Sequence, residues 1–273
     1  MEKHIRPSYE KARRTVAFST VWDISKFLAL IGLLTWLLAR GTERLGYNWQ
    51  WYRLPRYIFS FENGTLMAGP LMNGLLLTLK IALVSLILAF FFGLLTAIFR
   101  LSRSFVARML ARGYLEFIRN TPLLVQIFFI YFVLAPVLDI GRFTSAVLAL
   151  SLFEGAYASE IFRAGIVSIH KEQWEAAYSS GLSTFQTYRF VILPQAMRWM
   201  LPPLTSQAVS LIKDSALVST IAIYDLTMQG QAIIAETFLT FEIWFTVAAI
   251  YFLITGTLSF VVGIMENRLK IPT

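Results

Sequence analysis

Residues 71–99 form an unbroken apolar run of 29 residues whose single charge is Lys80. About 20 apolar residues suffice for a helix to cross the roughly 30 Å hydrocarbon layer of a bilayer, so this run commits the chain to a membrane-embedded helical fold. Composition agrees: 57% of residues are hydrophobic, only 15% are charged, and the mean hydropathy is +0.63. No ordinary soluble domain has that balance. Lys80 lies about two turns into the run, from where its long side chain can snorkel to the nearer interface.

Further spans are expected over residues 122–138, 143–161, 200–223 and 243–265. The first candidate, 27–39, is apolar but short, and must recruit residues 21–25 or tilt into its flanks. Pro122, Pro136, Gly141 and the Pro202–Pro203 pair punctuate the boundaries. The expected fold class is therefore all-α, a polytopic membrane helical bundle of five core transmembrane helices plus an extra N-terminal one. Residues 1–70 are read as an N-terminal cytoplasmic segment, the extra helix and an extracytoplasmic loop, and residues 71–268 as the core. The 27–39 segment lies behind a long basic stretch without a convincing cleavage site, so no cleavable signal peptide is expected.

The basic residues set the orientation. With the N-terminus inside, sixteen Lys and Arg fall on the cytoplasmic side, among them Arg100, Arg103, Arg108, Arg112 and Arg119, against five outside: Arg40, Arg44, Arg53, Arg56 and Arg142. The positive-inside rule then places both termini in the cytoplasm. The net charge of +8 does not point to nucleic acid, because the basic residues sit beside apolar spans and form no aromatic-interleaved stripe. There is no cysteine, and the two histidines, His4 and His170, have no second ligand near them in sequence, so no metal site is expected. No Ser-His-Asp arrangement falls within the spans and no phosphate-binding loop of the G-x-x-x-x-G-K-[ST] type occurs, so no catalytic residue and no bound cofactor are expected on this chain.

One polar segment between the fourth and fifth spans is unusually well punctuated. Residues 171–180 carry Trp174, Ala177 and Tyr178 on one helical face. Gly181 suits a left-handed helix end, and Ser183 with Gln186 three residues later has capping-box spacing. The pattern predicts a helix, a sharp turn and a second helix that stops at Pro194. An amphipathic pair lying at the membrane surface, anchored by Trp174, Phe185 and Tyr188, is the plain alternative.

These residues resemble the cytoplasmic EAA loop of ATP-binding-cassette importer permeases, with Glu175, Ala176, Ala177, Gly181, Val191, Leu193 and Pro194 at the pattern's fixed positions. Val191 replaces the more usual Ile. The run Glu116-Phe117-Ile118-Arg119-Asn120-Thr121-Pro122-Leu123-Leu124-Val125-Gln126 resembles a stretch of the polar amino-acid uptake permeases, with Asn120 where Gly is usual. Ala156-Tyr157 followed by Glu160-Ile161-Phe162-Arg163-Ala164-Gly165-Ile166, and Leu211-Ile212-Lys213-Asp214-Ser215-Ala216-Leu217, resemble two more. The resemblance implies a permease subunit of an ATP-driven amino-acid importer in the bacterial inner membrane. Its loop, about 166–198, would couple to a separate ATPase through Glu175, Ala176, Ala177, Gly181, Leu193 and Pro194. The implied partners are ATP-binding-cassette ATPase subunits that hold the ATP, a second permease subunit, an extracytoplasmic substrate-binding protein, membrane lipid and the amino-acid substrate.

Ionisable residues at membrane depth persist when paired or facing water, which makes them the guide to a pathway. Glu154, Tyr157 and Glu160 follow at i+3 steps, so the phenol can neighbour both carboxylates. Glu154 either faces the translocation cavity, suited to a substrate ammonium or guanidinium, or makes a buried structural hydrogen bond. Glu160 can pair with Arg163. On the fifth span Ser206, Gln207, Ser210, Lys213 and Asp214 fall within an arc of about 120° at roughly 100° per residue. That stripe should face protein or water, and Lys213 and Asp214 either neutralise one another or bridge helices. The different-class alternative is an ion-coupled secondary transporter with Glu154 and Glu160 as proton carriers.

Overall fold

The computed structural model describes residues 6–44, 46–62 and 65–269. His4 lies outside these residues, as do Lys3 and Lys270, two of the sixteen basic residues assigned to the cytoplasmic side. The chain divides into two units, Met1–Gln50 and Trp51–Thr273. The first unit holds helix α1, Arg6–Arg44. Its apolar stretch Trp22–Gly41 is 20 residues long, enough to cross a membrane, because the helix continues unbroken into the residues flanking 27–39 on both sides.

The second unit begins with a short hairpin, β1 (Phe59–Glu62) antiparallel to β2 (Thr65–Ala68), with Phe59 opposite Ala68. Helix α2, Pro70–Leu101, follows with Pro at its first turn, where the missing N–H costs nothing. Then come α3 (Phe105–Arg119), capped by the Ser104 side chain, and α4 (Leu123–Phe128), which runs on through a π-helical turn, Phe129–Leu134, into Ala135–Leu138. Helix α5 is Arg142–Val167, and α6 is Lys171–Ser179. Helix α7 is Leu193–Asp214, α8 Leu226–Thr237 and α9 Thr240–Leu269.

By length and apolarity Pro70–Leu101, Arg142–Val167 and Thr240–Met265 are candidate spans; Phe105–Arg119 and Leu123–Leu138 reach that apolarity only when taken together, and a bend of 106° divides them. The expected span at 200–223 is built differently. Helix α7 starts earlier, runs through Pro202 and Pro203, and passes into a 3-10 segment, Ser215–Ile221. Its Ser206, Gln207, Ser210, Lys213 and Asp214 lower its apolarity, so it is not among the helices apolar enough to cross by composition alone.

The core is centred on α2 against α5, the most extensive helix contact among the described residues. Small residues make this possible: Ala89, Gly93 and Ala97 on α2 face Gly155, Ala158 and Ser159 on α5, all buried. A Cβ on Gly93 would stand 2.8 Å from that of Ala158, and one on Gly155 would stand 2.9 Å from that of Phe92. Between membrane helices, where lipid is as apolar as leucine, such close backbone approach and its dispersion contacts hold the pair together. Around this seam Ile81, Ile127, Leu150, Leu211 and Val218 form the largest apolar cluster.

Lys80 is exposed and its ammonium lies 5.4 Å from the centre of the Phe143 ring, at the first turn of α5. The cation therefore reaches one end of the bundle along its own aliphatic stem. At the same end Arg142 donates to the Tyr131 hydroxyl at 3.0 Å and to the Ala222 carbonyl at 3.4 Å, tying α4, α5 and the turn before α8.

Candidate functional site

Helix α6 ends in a full glycine stop. Gly181 has φ +76°, its N–H bonds the Tyr178 carbonyl at 3.0 Å, and the Leu182 N–H reaches back to the Ala177 carbonyl at 3.2 Å. That pair of bonds is the Schellman arrangement, and it satisfies carbonyls that the helix end leaves open. Ser183 then opens the next helix with both capping-box bonds in place: its side chain accepts from the Gln186 N–H at 3.3 Å and its own N–H donates to Gln186 Oε1 at 2.9 Å.

The second helix does not stop at Pro194. After Thr184–Gln186 the chain widens into a π-helical turn, Thr187–Ile192, and continues directly into α7. Proline lacks an N–H and its ring clashes with the carbonyl four residues back; a widened turn moves that carbonyl away, and Leu193 bonds instead to Tyr188, five residues back. The same device precedes Pro136 in α4. The loop is thus welded to a long core helix.

The two arms of the loop are clasped by the Trp174 and Tyr188 rings, edge to face at 5.1 Å. Gln195 adds a strap, donating to Gln173 Oε1 at 3.2 Å and to the Val191 carbonyl at 2.8 Å. Partial burial, with Tyr178 nearby, holds the Tyr188 phenol above its ordinary pKa and so neutral. Ala177 is buried, which explains a small side chain there, whereas Glu175, Ala176, Leu193 and Pro194 are exposed. Glu175 pairs with Lys171 at 2.8 Å across one exposed helical turn. Tyr178 and Phe185 stand out into solvent on this element.

The run 116–126 is a bend built from side-chain hydrogen bonds. Asn120 Nδ2 donates to the Glu116 carbonyl at 2.7 Å and to its carboxylate at 2.9 Å, while the Thr121 hydroxyl bonds the Phe117 carbonyl at 2.8 Å. Buried Gln126 bridges the break, its Nε2 reaching the Ile118 carbonyl at 2.8 Å and Thr121 Oγ1 at 2.8 Å. These groups satisfy the backbone that Pro122 and the 106° bend leave open.

Beside the bend, Glu160 gathers three guanidinium groups: Arg100 of α2 at 2.7 Å, Arg119 of α3 at 3.2 Å and Arg163 at 3.3 Å. The sequence offered only Arg163. Arg100 and Arg119 are distant in the chain, and the recurrence of arginine at the ends of apolar runs was the only available hint. Tyr157 bonds neither carboxylate: its ring lies 5.0 Å from that of Phe153, and Arg119 stacks over it at 5.8 Å. Glu154 and Glu160, six residues apart, point about 120° from each other around α5, towards different neighbours.

Glu154 sits halfway along α5 and is 1% exposed. Gln207 Nε2 from α7 donates to its Oε2. The half-buried Asp214 carboxyl lies against that of Glu154, within side-chain hydrogen-bond reach. Ser210 is half-buried on the same helix, whereas Ser206 and Lys213 are exposed, and no close ion pair joins Lys213 to Asp214. Helices α5 and α7 therefore bring Glu154, Gln207 and Asp214 to one place and leave Glu160 in another.

Residues 89–271 match the family described as the binding-protein-dependent transport system inner membrane component. The chain belongs to that family. The glutamine transport system permease protein GlnP of Escherichia coli K12 is 43% identical over 204 residues, covering 74% of this chain and 93% of its own. The L-cystine transport system permease protein TcyB of Bacillus subtilis 168 is 41% identical over 202 residues, covering 73% and 86%. Among solved structures, a crystal structure of an amino acid ABC transporter with histidines matches at TM-score 0.68 and 37% identity, covering 73% of this chain and 94% of that one. The protein is thus a multi-pass inner-membrane permease subunit of an importer. The family match begins inside α2, so α1 and the hairpin lie outside it.

Proposed function

We propose that this permease forms half of the translocation pathway of an ATP-driven importer for polar amino acids. The single observation that carries this reading is the loop of 171–192, a glycine-stopped, capped and aromatically clasped helix pair fused without a break to α7, the helix that also presents Gln207 to Glu154. A push on Glu175, Ala176, Gly181, Leu193 and Pro194 is transmitted as a rigid-body motion to the polar cluster in the bundle. ATP is bound by separate ATPase subunits that grip this loop, and the chain itself holds no cofactor. A second permease subunit completes the pathway, and an extracytoplasmic binding protein delivers the amino acid.

Glu154 and Asp214 set two carboxyl groups against one another beside Gln207, an arrangement that suits an ammonium, the group every amino acid carries. Gln207, Ser210 and Asp214 extend the polar wall, while Glu160, held by three arginines, locks the neighbouring helix ends together and leaves little capacity for a further cation. The relatives named for glutamine and cystine support the amino-acid class.

Proteoliposomes carrying the assembled importer should accumulate amino acid only with ATP inside and binding protein outside. Uptake driven by a proton gradient, with the ATPase omitted, would instead establish a secondary transporter. In this reading both termini lie in the cytoplasm, as the distribution of Lys and Arg favours. Because the chain has no native cysteine, single substitutions report sidedness cleanly. Lys171→Cys should react with a membrane-impermeant thiol reagent only after the inner face is opened, and Glu236→Cys should react from outside; the reverse pattern overturns the orientation.

A further inference from the structure

Helix α3 has three longitudinal faces. Ala111, Leu115 and Ile118 are buried against the bundle. At about 100° per residue, Arg108, Arg112 and Arg119 fall within a sector of about 40° beside that buried face. Across the helix from them, Val106, Leu110 and Phe117 form an exposed apolar stripe, 58%, 57% and 59% accessible. A helix with a basic edge and an exposed apolar edge, bent 106° from the helical segment that follows it, is shaped to lie in the plane of a membrane–water interface. Between the edges runs a shallow, open groove whose described lining, Phe105, Arg108, Met109, Arg112, Gly113 and Glu116, belongs to α3 alone.

The groove combines two chemistries. Arg108 and Arg112, one turn apart, present two guanidinium groups to the same space; Phe105, Met109 and the bare backbone of Gly113, which has nothing within 4 Å of a built Cβ, supply an apolar floor. No ion pair joins either arginine to a carboxylate among the described residues, and the Glu116 carboxylate on the groove's edge is engaged by Asn120. Arg100 and Arg103, which flank the helix in sequence, add to the positive field. Arginine forks bind phosphate oxygens bidentately.

We propose that the α3 groove is a binding site for an anionic phospholipid, its phosphate held by Arg108 and Arg112 and the upper part of an acyl chain lying along Phe105 and Met109. A lipid seated there would brace the helix that carries Arg119, one of the three partners of Glu160. The site is independent of the amino-acid reading, since it requires only that the helix lie at the interface.

The test is native mass spectrometry of the full-length chain extracted from nanodiscs of equal phosphatidylglycerol and phosphatidylcholine, with phosphatidylglycerol as the probe. The unaltered chain should retain phosphatidylglycerol selectively. The double variant Arg108→Gln with Arg112→Gln should lower its retention by on the order of ten-fold or more, at about one surface-charge contribution per arginine. Arg108→Lys with Arg112→Lys, which keeps the charge but not the bidentate fork, should restore part of it and serves as the folding control. Equal retention by the unaltered chain and the Gln variant overturns the site. So does competition by free inorganic phosphate as strong as that by lipid, which would make the groove a simple anion site. A Gln variant that alters self-association while lipid retention is unchanged would assign the face to a second copy of the chain, and would equally overturn the proposal.

Discussion

Gly181→Val is expected to abolish uptake while leaving the bundle inserted in the membrane. The position has φ +76° and open space around a built Cβ, so no clash opposes the new side chain; the cost is in the backbone alone. Left-handed geometry costs an ordinary L-residue roughly 1–2 kcal/mol, and a β-branched one more, enough to shift the turn population about ten-fold or beyond. The Schellman bonds from Gly181 and Leu182 would be lost, and α6 would no longer be aimed by the turn. Asparagine tolerates the same φ, so Gly181→Asn should retain most transport. Uptake and ATPase rates of the two variants in reconstituted complexes check this. Normal coupled transport by the valine variant would show that the turn does not transmit the stroke.

Glu154→Gln should raise the KM for the transported amino acid by about ten- to a hundred-fold, the loss of a charge-assisted hydrogen bond worth roughly 1.5–3 kcal/mol. The substitution keeps the side chain's shape and its ability to accept from Gln207, so the contact between α5 and α7 survives and assembly and ATP hydrolysis should be unaffected. This separates charge from packing. Glu160→Gln serves as a contrast: it disrupts three ion pairs at the helix ends and should weaken assembly without a selective effect on KM. Unchanged uptake kinetics in a correctly assembled Glu154→Gln complex would leave Glu154 a structural partner of Gln207 and nothing more.

The local devices of this protein were legible in its sequence, because each is written within a few consecutive residues. The glycine stop at Gly181, the capping box of Ser183 and Gln186, and the apolar runs that become α2, α5 and α9 all arise from backbone preference and helical period. Proline misled more than once: the Pro202–Pro203 pair, read as a boundary, lies inside α7. Pro194 reads as a helix stop, yet the chain absorbs it with a π-helical turn, because carrying the loop rigidly into α7 lets Ile192, Ala196 and Met200 pack against Phe162 and Ile166. The Met200 side chain fits there because Gly165 has no Cβ to meet it.

The sequence by itself determined the class: a helical membrane permease whose polar loop lies outside the spans, and whose intramembrane carboxylates needed partners. Tertiary structure alone decided which partners. Gln207 reaches Glu154 across 53 residues of chain, and Arg119 reaches Glu160 across 41. Equal spacing along α5 made Glu154 and Glu160 look like one site through Tyr157; helical rotation sends one carboxylate towards α7 and the other towards the arginines of α2 and α3. Period and propensity act over a few residues, whereas the partner of a buried charge is set by whichever helix packs against it, and that is a property of the whole bundle.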